Sequence, residues 1–201
     1  MSKCPQGLYR ALAPVVRAAL WLAHPALRVE GRERIPNDAA VLCCNHSGMT
    51  DPVWVIAFGK LKCLPCIMAK KELFRNRFLA WFLGALGAFP VDRGAVDINA
   101  VKTSMQALKA GNKLLIFPEG TRVKVGMKVE PHSGALLIAA RMKTPIVPVY
   151  LSRKRGLFSS VRVIFGEPYF PEYADAKPTA EELELRTAEL MDRIYQMGEG
   201  T

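Results

Sequence analysis

The sequence predicts an α/β protein: a mainly parallel, twisted sheet flanked by helices. Three observations carry that prediction. Short apolar and β-branched runs alternate with longer helical runs along most of the chain, the pattern of strands linked by crossover helices. Glycines close several of the helical runs, and no internal repeat or low-complexity linker intervenes. The 201 residues, half of them hydrophobic, suit one domain with a full core.

The elements follow in chain order. Residues 1–30 contain an apolar middle interrupted by Arg17, His24 and prolines. A spanning helix needs about 20 clean apolar residues, so this stretch reads as an amphipathic helix, interfacial or covering the core. "AVLCC" (40–44) reads as a strand, "DPVWVIAFGK" (51–60) as a helix and "LPCIMA" (64–69) as a strand. "KELFRNRFLAWFLGALG" (71–87) reads as one helix ended by Gly87, "AFPV" (88–91) as a strand, and "AVDINAVKTSMQALKAG" (95–111) as a helix closed by Gly111. "KLLIFP" (113–118) is a strand, 122–133 an irregular loop and "SGALLIAARMK" (133–143) a helix. "PIVPVYL" (145–151) and "SVRVIFG" (160–166) are strands. "KPTAEELELRTAELMDRIYQMG" (177–198) is a terminal helix, with Thr179 as N-cap and acidic residues in its first turn.

With 28 Lys plus Arg against 18 Asp plus Glu, the net charge is +10. That balance favours a polyanion, an anionic membrane surface or a phosphorylated substrate. No RNA-binding aromatic signature is present, so nucleic acid is not the expected partner and stays a runner-up, within the alternative of a basic membrane- or nucleic-acid-binding module without chemistry. Five cysteines without a cleavable export signal point to reduced thiols.

The polar residues that stand out all follow strands. His46 follows "VLCC", Lys70 follows "CIMA", Asp92 and Arg93 follow "AFPV", and Glu119, Gly120, Thr121 and Arg122 follow "KLLIFP". In α/β sheets ligands collect beyond the carboxyl ends of the strands. If these strands are parallel, all four groups meet on one rim. Histidine is the side chain whose ordinary pKa allows proton transfer near neutrality. Asp51, five positions on, can fix one ring nitrogen of His46 and leave the other as a base. Such a pair, with no protein nucleophile, suits deprotonation of a substrate hydroxyl. "TDP" also reads as a helix start, with Asp51 as N-cap and Pro52 behind it. Arg122 can grip phosphate with two parallel hydrogen bonds, and Gly120 permits a tight turn. Glu119 cannot hold phosphate, so it should orient a base, an arginine or a substrate hydroxyl.

Two further readings compete. Cys43, Cys44 and His46, with Cys63 and Cys66 at C-x-x-C spacing, could form a zinc or redox set, although free cysteine commonly behaves as a small core hydrophobe. "FLAWFLGALGAFPV" (78–91), beside Lys70, Lys71, Arg75 and Arg77, could be a core helix or an apolar wedge on anionic lipid.

Assembled in order, "NHSGMTD" (45–51), "KKELF" (70–74), "GAFPVDR" (87–93), "FPEGTR" (117–122) and "PIVPVYL" (145–151) resemble the motifs of the 1-acylglycerol-3-phosphate acyltransferase family. The resemblance implies that His46 is general base on the free hydroxyl of a lysophospholipid and that Asp51 orients it. It implies that Lys70, Arg93 and Arg122 hold the acceptor phosphate and that Glu119, Gly120 and Thr121 shape the acceptor site. It further implies a thioester donor, acyl-carrier protein or acyl-coenzyme A, with no cofactor or metal, and phosphatidic acid as product, with glycerol 3-phosphate or another lysolipid as the alternative acceptor. The expected organisation is a membrane-associating helical segment over 1–30 and an acyltransferase domain over 31–201, on the cytoplasmic face of the membrane. One departure is His132 and Ser133 before Gly134, where relatives often carry a lysine.

Overall fold

The computed structural model describes residues 6–199 except 60, 62–64, 86, 93–96, 125, 128, 157 and 176. A seven-stranded sheet is built from β1 (Arg28–Glu30), β2 (Ala40–Cys44), β3 (Cys66–Lys70), β4 (Ala88–Val91), β5 (Lys113–Ile116), β6 (Ile146–Leu151) and β7 (Arg162–Phe165), in the order β1-β7-β6-β2-β5-β3-β4. Every pairing is parallel except β6 with β7. Helices α1 (Gln6–Ala23), α2 (Asp51–Phe58), α3 (Arg77–Ala85), α4 (Ile98–Lys109), α5 (Gly134–Met142) and α6 (Ala180–Glu199) complete the chain.

Parallel strands covered on both faces should be apolar throughout, and all five residues of β2 are buried. Alternate side chains enter opposite cores. Leu42 and Cys44 pack with Trp54, Val55 and Phe58 of α2. Val41 and Cys43 pack with Leu136 of α5 and with Leu190 and Ile194 of α6. Cys43 and Cys44 therefore face away from each other, and burial pushes both thiols well up from their ordinary value. Cys66 lies in β3 and Cys63 outside the described residues, so Cys43 and Cys44 are core hydrophobes rather than two ligands of one ion.

Several boundaries differ from the sequence reading, each for a physical reason. The run 71–87 is not one helix. A short 3-10 helix over Lys71–Phe74 is followed by a break, and α3 restarts where the Asn76 carboxamide accepts from Leu79 N at 3.0 Å. Asp97 caps α4 by accepting from Ala100 N at 2.9 Å. Thr179 and Glu182 cap α6 reciprocally, Glu182 N donating to Thr179 Oγ1 at 3.2 Å and Thr179 N to Glu182 Oε2 at 2.9 Å. Pro148 sits inside the sheet at the margin of the β6–β7 ladder, where it gives up one bond to Gly166. Its carbonyl accepts from Gly166 on the β7 side, so its missing N–H also faces that side, just beyond the last β7 pair, Val149 with Phe165.

Residues 28–30, placed from sequence in the N-terminal segment, form β1 and pair with β7. Helix α1 rests on α2: Val16 and Leu20 meet the core, and Arg17 Nε donates to Ala57 O at 2.9 Å. Its opposite face leaves Leu12, Val15, Trp21 and Leu22 exposed. Among the described residues no helix is long and apolar enough to cross a membrane.

Candidate active site

The parallel run β2-β5-β3-β4 brings four strand exits to one edge of the sheet. His46 lies two residues past β2, Glu119 three past β5, Lys70 at the end of β3 and Asp92 just past β4. Arg93 lies outside the described residues. Lys70 is two strands from β2, about 10 Å at ordinary strand spacing; it is exposed and pairs with Glu72 at 3.6 Å.

Asn45 fixes the β2 exit. Its buried carboxamide donates to Leu151 O at 2.9 Å and accepts from Leu151 N at 2.8 Å, tying the end of β2 to the end of β6. The next residue, His46, is held on four sides. Its ring lies 4.4 Å from that of Phe117 at a 31° tilt, its carbonyl accepts from Val123 N at 2.8 Å, its backbone N–H donates to Glu119 Oε2, and Nδ1 lies 2.8 Å from Asp51 Oδ2.

Asp51 begins α2, but its carboxylate does not cap that helix. It turns back into the preceding loop. Oδ2 accepts from Ser47 N at 2.6 Å and Gly48 N at 2.9 Å as well as from His46, while Oδ1 accepts from Arg155 Nη2. Burial acts to raise the Asp51 pKa; the bonds from His46, Gly48 and Ser47 and the Arg155 charge outweigh it and hold the carboxyl below its ordinary value. A carboxylate facing Nδ1 places that nitrogen's proton between them, so Nε2 carries the free lone pair. The His46 side chain is 14% exposed, while Asp51 is fully enclosed. The pair can take a proton from a hydroxyl group and pass it to a leaving group.

Glu119 had three roles open to it. Its side chain is 4% exposed, and both oxygens are engaged within the protein: Oε2 with the His46 N–H and Oε1 with the Tyr195 hydroxyl of α6. Arg153 Nη2 donates to that hydroxyl at 2.8 Å, stacks 4.8 Å over the Tyr195 ring and lies 3.9 Å from Glu119. Both Glu119 oxygens thus have protein partners, and one of them holds the backbone of the candidate base. Burial, followed by the bond to Glu119, pushes the Tyr195 phenol well up. Tyr195→Phe should lower stability by about 1–3 kcal/mol, the worth of a hydrogen bond to a buried charged group. A thermal melt showing an unchanged Tm would contradict this picture.

Gly120 has φ +62°, and a Cβ there would come within 2.4 Å of the His132 ring. The turn thus requires glycine, and His132, anchored by its N–H to Pro118 O at 2.8 Å, covers it. Thr121 and Arg122 are exposed beyond this turn. Arg122 immediately precedes Val123, whose N–H holds the His46 carbonyl, so its backbone is fixed beside the base. The sequence reading did not find Asn45, Arg153, Arg155 or Tyr195. Each acts across a large sequence separation; Asn45 alone lay inside a quoted motif.

Comparison with known proteins identifies the family. A family profile described as Acyltransferase matches residues 26–152, a span that contains His46, Asp51 and the turn 117–122. A 1-acyl-sn-glycerol-3-phosphate acyltransferase of Bacillus subtilis (strain 168) is 33% identical over 196 residues, 94% of this chain and 96% of that protein. Another, of Streptococcus pneumoniae (strain ATCC BAA-255 / R6), is 34% identical over 168 residues, 80% of this chain and 62% of that protein. The crystal structure of the 1-acyl-sn-glycerophosphate (LPA) acyltransferase PlsC from Thermotoga maritima has the same fold, with a TM-score of 0.73 at 23% identity over 96% of this chain and 80% of that one. A histidine–carboxylate pair on the rim of this sheet, inside a matched span covering more than half the residues, places the chain in the Acyltransferase family as an acyl-transferring enzyme.

Proposed function

We propose that the enzyme transfers an acyl chain from a thioester to the free hydroxyl of 1-acylglycerol 3-phosphate, forming phosphatidic acid for phospholipid biosynthesis. The observation that carries this reading is the His46–Asp51 pair, with Nδ1 fixed at 2.8 Å from the carboxylate. His46 Nε2 takes the hydroxyl proton as the oxygen attacks the thioester carbonyl. The carbon–oxygen bond forms, the carbon–sulfur bond breaks, and the thiolate leaves with the proton returned from the imidazolium. No acyl-enzyme is formed and no cofactor is required. The relatives' names supply the choice of acceptor.

Arg122, Lys70 and Arg93 are the proposed phosphate ligands. Arg122 is exposed on the loop that holds the His46 carbonyl, and Lys70 stands on the same sheet edge. A charge-assisted bidentate contact is worth about 1.5–3 kcal/mol, and lysine keeps the charge but loses the fork. Arg122→Lys should therefore weaken use of a phosphorylated acceptor by about tenfold or more, with the donor KM little changed. Steady-state kinetics varying each substrate separately checks this; a rise confined to the donor KM would place the arginine elsewhere.

The partner surface is an anionic bilayer. Phe78, Trp81 and Phe82 are exposed on α3, with the Phe78 and Trp81 rings 6.1 Å apart, and Arg75 and Arg77 are exposed beside them. Aromatic and basic side chains together suit the interface between headgroups and acyl chains. The donor is acyl-carrier protein or acyl-coenzyme A. An acceptor panel tests the function: purified protein, both donors, and 1-acylglycerol 3-phosphate against glycerol 3-phosphate and lysolipids lacking a terminal phosphate, with products read by mass. Phosphatidic acid should dominate. Preference for glycerol 3-phosphate or for an uncharged lysolipid would move the enzyme to another acceptor, and no product with any pair would leave a basic binding module.

A further inference from the structure

One charged side chain touches the candidate base pair and has no place in the scheme above. We propose that Arg155 is a positioning residue for acyl transfer, holding the Asp51 carboxylate on His46 and balancing its negative charge beside the base. The inference rests on the acyl-transfer reading.

Arg155 lies between β6 and β7, 104 residues after Asp51 in the chain, with its side chain only 9% exposed. Its guanidinium joins the loop around the base to the end of β6. Nη2 donates to Asp51 Oδ1, and Nη1 donates to Ser47 Oγ at 3.1 Å and to the Ser152 carbonyl. Gly48 makes room for it, since a Cβ there would lie 2.6 Å from Nη2 and 3.2 Å from Asp51 Oδ1. The two carboxylate oxygens thus divide their work: Oδ2 faces His46 and two backbone N–H groups, and Oδ1 faces the arginine. An enclosed carboxylate with an unpaired oxygen would be costly.

The charge balance has a direction. A lone buried carboxylate beside an imidazole favours the imidazolium, which is not a base. A guanidinium on the carboxylate's far oxygen opposes that bias. Other ionisable groups also surround His46: Glu119, which accepts the His46 N–H, faces Arg153 at 3.9 Å and Tyr195. Cys44 is buried beneath in β2, and Arg122 and Lys124 flank Val123 on the exposed side. Removal of Arg155 should therefore move the acidic limb of the pH–rate profile to higher pH.

The test compares wild type, Arg155→Met, Arg155→Lys, Asp51→Asn and the Asp51→Asn/Arg155→Met pair, with 1-acylglycerol 3-phosphate and an acyl thioester, across the pH range. Arg155→Met should lower kcat by roughly 10- to 100-fold, leave both KM values within about threefold, and raise the acidic limb by roughly half to one pH unit. Arg155→Lys should keep the limb in place and recover most of kcat, because it keeps the charge. The double variant carries neither buried charge. It should turn over within about threefold of Asp51→Asn, because Arg155 acts through Asp51, and this comparison holds even if Arg155→Met alone does not fold. A loss in Arg155→Met seen mainly in acceptor KM, an unmoved acidic limb, a limb shift in Arg155→Lys, or a further tenfold loss in the double variant would overturn the proposal. Wild-type protein inert toward every acceptor would instead overturn the acyl-transfer reading itself.

Discussion

His46→Ala protein should fold normally and form no detectable product. In the proposed scheme the imidazole takes the hydroxyl proton, and a general base contributes about 10²- to 10⁴-fold. Losing it also leaves the Asp51 carboxylate with no ring to orient. The fold should survive, because β2 is tied to β6 through the Asn45 side chain and to the 123 loop through the His46 carbonyl, neither of which the substitution touches. Circular dichroism and a turnover assay on the same sample check both halves. Turnover within tenfold of wild type would remove His46 from the mechanism.

Asp51→Asn should be slower than wild type by roughly 10² or more, though less damaged than His46→Ala. The amide can still accept from His46 Nδ1, but it must then aim an NH2 group at the Arg155 guanidinium, or flip and give up the correct tautomer. The substitution also changes acid stability in a defined direction. The Asp51 carboxyl sits below its ordinary value of 3.8 in the folded protein: burial works to raise it, and its hydrogen bonds and Arg155 prevail. Because the folded value lies below the unfolded one, the stabilisation is complete above 3.8 and is lost as pH falls through the lower, folded value. Acid unfolding curves should therefore show wild type losing stability more steeply than Asp51→Asn below about pH 4. Equal slopes would mean that Asp51 does not carry the linkage.

Much of this arrangement was legible in the sequence because it is local or periodic. The β2 run is apolar at every position since both of its faces are covered. The strand exits met on one edge since crossover helices force the strands parallel. His46 and Asp51 were readable as a pair since a loop and a helix start separate them by only five positions. Other features were hidden for physical reasons. Asn76 and Asp97 are ordinary N-cap residues, and weighting them over the apolar run would have divided 71–87 and started α4 at residue 98. β1 is three residues long, too short to show a period.

The supports of the base were the hardest to read. "SRKRG" has the composition of a solvated turn, yet Arg155 within it reaches a buried carboxylate 104 residues away. Tyr195 lies on the amphipathic α6 among residues that read as core spacing, and only the fold brings it to Glu119, 76 residues earlier. Partners that act across such separations leave no spacing signal. Of those partners only Arg155 touches Asp51, adding to the local bonds from His46, Ser47 and Gly48.

The central claim is that the acceptor hydroxyl, activated by His46, attacks the thioester directly. The measurement that tests it most directly is a single-turnover reaction of purified protein with an acyl thioester, with and without 1-acylglycerol 3-phosphate, followed by mass spectrometry of both lipid and intact protein. The account predicts phosphatidic acid from wild type, none from His46→Ala, and an unmodified protein mass in every sample. An acyl group on the protein when acceptor is withheld, or phosphatidic acid formed equally well by His46→Ala, would contradict it.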